Sequence, residues 1–139
     1  MIDFENQTDL LVELSELEEI AHSVTNREIE LIIVNNETIK NINFEYREKN
    51  EATDVLSFPF DGDFAHLPLG TIIISKDFVT EKAKEYNHSN NDEIKLLFIH
   101  GLLHLLGYDH EIDNGEHREK EEELINKYNL PSSLIVRNS

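Results

Sequence analysis

An apolar segment that carries two histidines constrains the fold more than any other part of this chain. Between Leu96 and Leu106 every side chain is apolar or absent except those of His100 and His104. A helix that is apolar on all sides is normally buried, and a buried imidazole without a partner is costly. Residues four apart share one face of a helix, with Cβ atoms about 5–6 Å apart. Both rings are therefore expected to point toward one common partner.

A glycine and a third histidine follow this predicted helix. Gly107 is expected to end it, because glycine adopts the left-handed conformation after a helix without penalty. The chain can then fold back and bring His110 toward His100 and His104. Three neutral imidazoles are the ligands of an open, catalytic zinc site, although nickel, cobalt or copper would also bind them. The spacing predicts a hydrolase with one Zn²⁺ ion on these three histidines.

The same spacing occurs in the metzincin metalloproteases, H-E-x-x-H-x-x-G-x-x-H, with one departure. Gly101 stands where those peptidases have the glutamate that acts as general base. A metallopeptidase is therefore the second hypothesis. In a third, a carboxylate such as that of Asp109 closes a structural zinc site in an interaction factor. The other histidines are isolated among polar residues and are expected at the surface: His22, His66, His88 and His117.

Length, charge and cysteine content narrow the class of protein. A chain of 139 residues is expected to form one domain, a metal-dependent hydrolase domain over 1–139. The chain has no cysteine, which excludes disulfides and thiolate metal sites. The net charge of −17 argues against non-specific binding to nucleic acid, so no DNA partner is expected. Without a signal-like start or an apolar run of about 20 residues, a cytoplasmic protein that does not contact membranes is expected.

Hydrophobic periodicity predicts the element order αβαββααα. The predicted helices cover about 10–20, 36–47, 77–86, the histidine segment from about 92, and 116–128; the predicted strands cover 29–34, 55–60 and 69–75. This order indicates the α/β (α+β) class, with a single mixed sheet of three to four strands covered by about five helices.

Three segments of the chain resemble a known family. They are the run from His100 to His110 (HGLLHLLGYDH), the run from Asn43 to Pro59 (NFEYREKNEATDVLSFP), and Leu69-Gly70 followed by Ile72 to Ser75. Together they are similar to the YbeY family, bacterial endoribonucleases that act in ribosomal RNA maturation. Thr71 stands where an aspartate is usual, and Glu119 falls near a position often held by methionine.

The resemblance implies a fold, an activity and a set of site residues. It implies a metzincin-like α/β fold, zinc on His100, His104 and His110, and single-strand-specific RNA cleavage. It also implies 16S rRNA 3′-end processing and ribosome quality control in the cytoplasm. The general base and the attacking nucleophile stay open, as does the choice between cleft and strand-cap roles for Thr53, Asp54 and Ser57.

Arg47 matches the family's functionally important arginine. Its planar guanidinium suits a phosphate, because it can grip two oxygens and stabilise developing charge. The alternative is a surface arginine paired with Glu45 or Glu48. Since a charge of −17 disfavours bare RNA, a protein of the small ribosomal subunit is expected to supply much of the recognition.

Overall fold

A computed structural model describes residues 1–60, 67–109 and 112–131. The elements follow one another as β1 (Ile2–Asn6), α1 (Leu14–His22), β2 (Ile29–Val34), α2 (Asn36–Arg47), β3 (Val55–Pro59), β4 (Gly70–Ser75), α3 (Lys76–Glu85), α4 (Asn90–Leu105) and α5 (Glu116–Lys127). Within these ranges no helix is long and apolar enough to cross a membrane.

The four strands form one mixed sheet in the order β1-β2-β4-β3. Strand β2 runs parallel to both of its neighbours, β1 and β4. Strand β3 runs antiparallel to β4 and lies at the edge of the sheet. The predicted fold class, a mixed sheet of three to four strands with about five helices, is confirmed.

Alternation along the strands gives the sheet two different faces. One face packs under α1, α3, α4 and α5 and forms the main core, with Leu31, Ile72, Leu97 and Phe98 fully buried. The opposite face carries a smaller cluster under α2, built on Ile39 and Ile73. Helix α4 therefore lies in the main core, whereas α2 covers the other side of the sheet.

Two expectations near the chain start were wrong. Strand β1 was not predicted, because its inward residues Ile2 and Phe4 are too few to stand out as a period-two pattern. Helix α1 begins at Leu14 rather than near residue 10. The preceding segment forms a turn in which the Asn6 side chain donates to the Leu10 carbonyl at 2.8 Å. Leu11, expected on the apolar face of the helix, is 89% exposed.

Helix α4 has a defined signal at each end. The Ser89 hydroxyl caps its start by accepting from the Asp92 amide at 3.0 Å. At its end, Gly107 has a φ of +101°. The amides of Gly107 and Tyr108 donate to the carbonyls of His104 and Leu103, both at 3.0 Å. This pair of bonds is a Schellman motif, so the predicted glycine stop after the histidine helix is confirmed.

Candidate metal centre

The two helix histidines lie at the rim of the core rather than inside it. Helix α4 buries ten residues, among them Leu102 and Leu103. The side chain of His100 is 15% exposed, and His104 is exposed. The expectation of two buried rings is therefore corrected: the helix is buried, but its histidine face opens at the surface. An ion bound there would be reachable from solvent.

Each ring uses its Nδ1 atom to bind an oxygen. Nδ1 of His100 lies 3.0 Å from a carboxylate oxygen of Glu121, and Nδ1 of His104 lies 3.0 Å from the main-chain carbonyl of Tyr108. A carbonyl oxygen only accepts, so Nδ1 of His104 carries the proton. In a neutral ring the lone pair then belongs to Nε2. This is the ring nitrogen that a metal would bind in His104.

A third histidine packs beneath this pair, and it was predicted wrongly. His117 was expected at the surface, but its side chain is fully buried. Its ring stacks on that of His100, with centroids 4.9 Å apart and planes 25° apart. The His104 and Tyr108 rings lie slightly further away, with their centroids 6.2 and 6.0 Å from that of His117. Glu119, which falls near the position often held by methionine in the family, is exposed. The residue that packs against the His100 and His104 rings is His117.

Glu121 completes this cluster one turn further along α5. Donor atoms of His100, His117 and Glu121 all lie within 4.8 Å of one another, a group that can hold a metal ion. Glu121 was not predicted as a site residue, because its acidic neighbours Glu119, Glu122 and Glu123 make this part of the sequence look like a solvated helix face. A signal was present: positions 117, 121, 124 and 125 share one face of α5, and all four are buried.

The described residues include two of the three predicted ligands, His100 and His104. His110, the third predicted ligand, lies outside the described residues, as does His66. Of the other predicted surface histidines, His22 is exposed. The prediction for His88 was wrong, since its ring is 8% exposed and lies 2.7 Å from the buried carboxylate of Glu93.

The position of Arg47 is set by helix α2. Arg47 is the last residue of α2, on the sheet face opposite α4, and its side chain is exposed. Within the described ranges, no hydrogen bond, ion pair or ring contact joins it to a histidine. Nor does an ion pair join it to Glu45 or Glu48, the partners that the surface alternative requires.

Gly101 is explained by a close approach between α4 and the edge strand. A Cβ atom placed on Gly101 would lie 2.9 Å from the Ser57 hydroxyl oxygen and 3.2 Å from a methyl of Ile72. The Ser57 hydroxyl donates to the Gly101 carbonyl at 3.3 Å. A side chain at this position would crowd Ser57 and Ile72. Glycine therefore lets α4 approach β3 and β4 closely.

The chain is similar to proteins named for one activity. The sequence profile described as endoribonuclease YbeY matches residues 2–129. Proteins of that name from Aliarcobacter butzleri and a Sulfurovum species are 61% and 59% identical to this chain. The first alignment covers all of both chains; the second covers 99% of this chain and 97% of the relative.

A solved structure supports the same relationship. The solution structure of a Thermotoga maritima protein superposes with a TM-score of 0.61 at 29% identity, covering 93% of this chain and 92% of the other. Its fold and the sequence matches agree with the resemblance carried by the three segments of the sequence. The chain belongs to the endoribonuclease YbeY family.

Proposed function

We propose that this chain is a metal-dependent, single-strand-specific endoribonuclease that acts in 16S rRNA 3′-end maturation and ribosome quality control in the cytoplasm. Membership of the family supports phosphodiester hydrolysis of RNA. The observation that carries the metal dependence is the pair of Nδ1 atoms, on His100 and His104, that each contact an oxygen at 3.0 Å. One sheet with one main core supports a single catalytic domain over 1–139.

The proposed metal is one Zn²⁺ ion held by His100, His104 and His110. The Schellman turn at Gly107 supports this set, because it ends helix α4 shortly before His110 in the sequence. Oxygen contacts at both Nδ1 atoms are typical of imidazoles whose other nitrogen binds a metal. When bound, the ion would polarise a phosphoryl oxygen and lower the pKa of water.

Arg47 is the proposed phosphate-binding residue. Its exposed guanidinium is not engaged by Glu45 or Glu48 in the described structure, which leaves its five N–H donors for a ligand. The chain continues from Arg47 into β3, the edge strand that contacts α4 at Gly101. RNA that reaches from the histidine cluster along this edge would approach the end of α2. In that position Arg47 would hold a phosphate and offset its charge.

Cleavage of a 16S rRNA 3′-end precursor tests this proposal. Wild type, Arg47→Ala and His104→Ala are purified identically, and their metal content is measured before the assay. We expect wild type to cut, and a chelator to abolish cutting. Arg47→Ala should keep its metal. Its cleavage rate should fall at least about tenfold, because the transition state loses one charge-assisted contact. His104→Ala should lose both metal and activity.

Lys84→Ala is the matched control, since Lys84 is an exposed cation on α3. It should cut as fast as wild type. Equal cutting by all four proteins would indicate a contaminating nuclease and favour an interaction factor with a structural zinc. Turnover of a peptide library by wild type would favour the metallopeptidase instead.

We also propose that a basic protein of the small ribosomal subunit supplies much of the recognition. A net charge of −17 predicts weak binding of bare RNA. On the α2 face of the sheet a groove of about 460 Å³ has an apolar floor that includes Ile32 and Ile73. Glu30 and Glu45 line it, and Tyr46 beside them is 67% exposed. A cationic segment with apolar side chains would complement this surface.

Binding to purified small ribosomal subunits tests the partner. Glu45→Lys reverses one charge of the groove and should weaken binding several-fold, because like charges at an interface are unfavourable. Glu81→Lys, which makes the same change on the exposed face of α3, should bind as wild type does. Nanomolar affinity of the isolated protein for rRNA at physiological salt would contradict the proposal.

A further inference from the structure

Glu121 is a carboxylate that folding removes from water. Its side chain is 1% exposed, on the face of α5 that also buries Leu124 and Ile125. A buried carboxylate is costly unless hydrogen bonds or opposite charge compensate it. The neighbouring acids Glu122 and Glu123 instead lie toward solvent, where they pair with Arg118 and Lys120. Glu121 thus differs from the neighbouring acidic residues of α5 in being buried.

Two imidazoles share one oxygen of this carboxylate. Oε2 of Glu121 lies 3.0 Å from Nδ1 of His100 and 3.6 Å from Nε2 of His117. The two rings are themselves stacked, 4.9 Å apart. The ring plane of His100 is therefore held from two directions: the carboxylate contacts its edge, and His117 lies against its face.

Glu121 has two chemically distinct roles open to it around a metal. As a ligand it would bind the ion through its own oxygen, together with His100 and His117. As an acceptor it would bind the Nδ1–H of His100, and that nitrogen would then have no lone pair for a metal. The 3.0 Å separation is a normal hydrogen-bond length. His104 makes the equivalent contact to a main-chain carbonyl, which can only accept.

We infer that Glu121 is a positioning residue that keeps the proton of His100 on Nδ1 and thereby directs Nε2 to the metal, with His117 as the surface against which the ring packs. This inference rests on the proposed metal at His100. The matching contact at His104 supports this inference. In both rings Nδ1 then faces an oxygen, and Nε2 is left to bind the ion. A charged acceptor also makes the ligand more basic.

Three variants separate the roles of Glu121. Glu121→Gln keeps an oxygen that accepts from Nδ1–H, Glu121→Leu removes it, and Glu123→Gln is the matched exposed control. Zinc affinity is measured by competition with a chelator, and the tautomer of His100 by nitrogen NMR of the metal-free proteins. We expect Glu121→Leu to bind zinc about 10–100-fold more weakly. Glu121→Gln should lose less than Glu121→Leu, and Glu123→Gln should match wild type.

The tautomer gives a readout that does not depend on activity. Metal-free wild type and Glu121→Gln should hold the His100 proton on Nδ1, whereas Glu121→Leu should show a mixture. A proton on Nε2 in metal-free wild type would overturn the inference even if Glu121→Leu failed to fold. Equal weakening by Gln and Leu, together with zinc retained by His104→Ala, would make Glu121 a ligand.

The two proposals fail in different ways. If His104→Ala loses zinc while every Glu121 variant binds like wild type, the positioning role is wrong and the metal site stands. If wild type binds no zinc, the proposed metal itself is wrong, and the positioning inference falls with it.

Discussion

At the scale of single residues, the contact at Gly101 shows how packing selects one side chain. The sequence shows that a peptidase-type base is missing at this position, and the structure shows what an added Cβ would meet there: the Ser57 hydroxyl and a methyl of Ile72. By intrinsic helix propensity, glycine destabilises a helix by roughly 0.8–1.0 kcal/mol relative to alanine. The close approach of α4 to β3 outweighs that loss.

Gly101→Ala is expected to destabilise the protein by about 1 kcal/mol, since overpacking of about 1–3 kcal/mol exceeds the helix-propensity gain. Ser57→Ala removes the oxygen that lies 2.9 Å from the new Cβ. In that background Gly101→Ala should be nearly neutral. Urea unfolding of wild type, both single variants and the double variant gives the coupling. Additive losses would mean that the Ser57 contact does not decide the choice of glycine.

Residue identity alone was a poor guide to the inner part of the site. The spacing of His100 and His104 was visible in the sequence, because helical periodicity is local. His117 and Glu121 were not found, because each lies among polar residues, and only the packing of α5 on α4 buries them. The assignment of Arg47 and His110 stays a prediction.

At the scale of elements, the two ends of α4 differ in how close they lie to the histidines along the chain. Ser89 caps the start of the helix, far along the chain from the histidines, whereas Gly107 forms the turn between His104 and His110. Most bounds predicted from periodicity and caps agree with the structure within one or two residues. The exceptions, β1 and the start of α1, are segments where the apolar pattern is short or broken by a turn.

Gly107→Ala is expected to lower the free energy of unfolding by about 1–2 kcal/mol, because its φ of +101° is unfavourable for a residue with a Cβ. It should also weaken zinc binding, since the turn would shift relative to His104. Ser89→Ala is the control: losing the cap costs about 1 kcal/mol. Thermal unfolding and zinc competition are measured for both. Equal zinc affinity in the two variants would contradict the prediction, because it would mean that the turn at Gly107 does not affect the metal site.

At the scale of the whole molecule, charge is the dominant feature. The net charge of −17 is spread over both ends of the chain: residues 1–30 contain nine acids and one base. Such self-repulsion opposes the compact state. Ion pairs relieve it locally, as where Lys76 contacts Asp9 and lowers the pKa of that carboxyl. Pairs of this exposed kind contribute little.

The melting temperature is therefore expected to rise by a few degrees when KCl is increased from about 10 mM to about 300 mM, because the screening length shortens several-fold. Scanning calorimetry of the protein with its metal content held constant provides the measurement. A fall in melting temperature would mean that attractive ion pairs outweigh the net repulsion.

The sequence by itself determined the family and, among the described elements, all but strand β1. Periodicity, caps and glycine stops act over a few residues, so the fold class and the histidine pair could be predicted without a structure. The tertiary structure alone decided three things: the sheet order β1-β2-β4-β3, the room denied to a side chain at Gly101, and the burial of His117 and Glu121. These depend on contacts between segments distant in the chain, so a local pattern such as the shared face of α5 does not show by itself what packs against it.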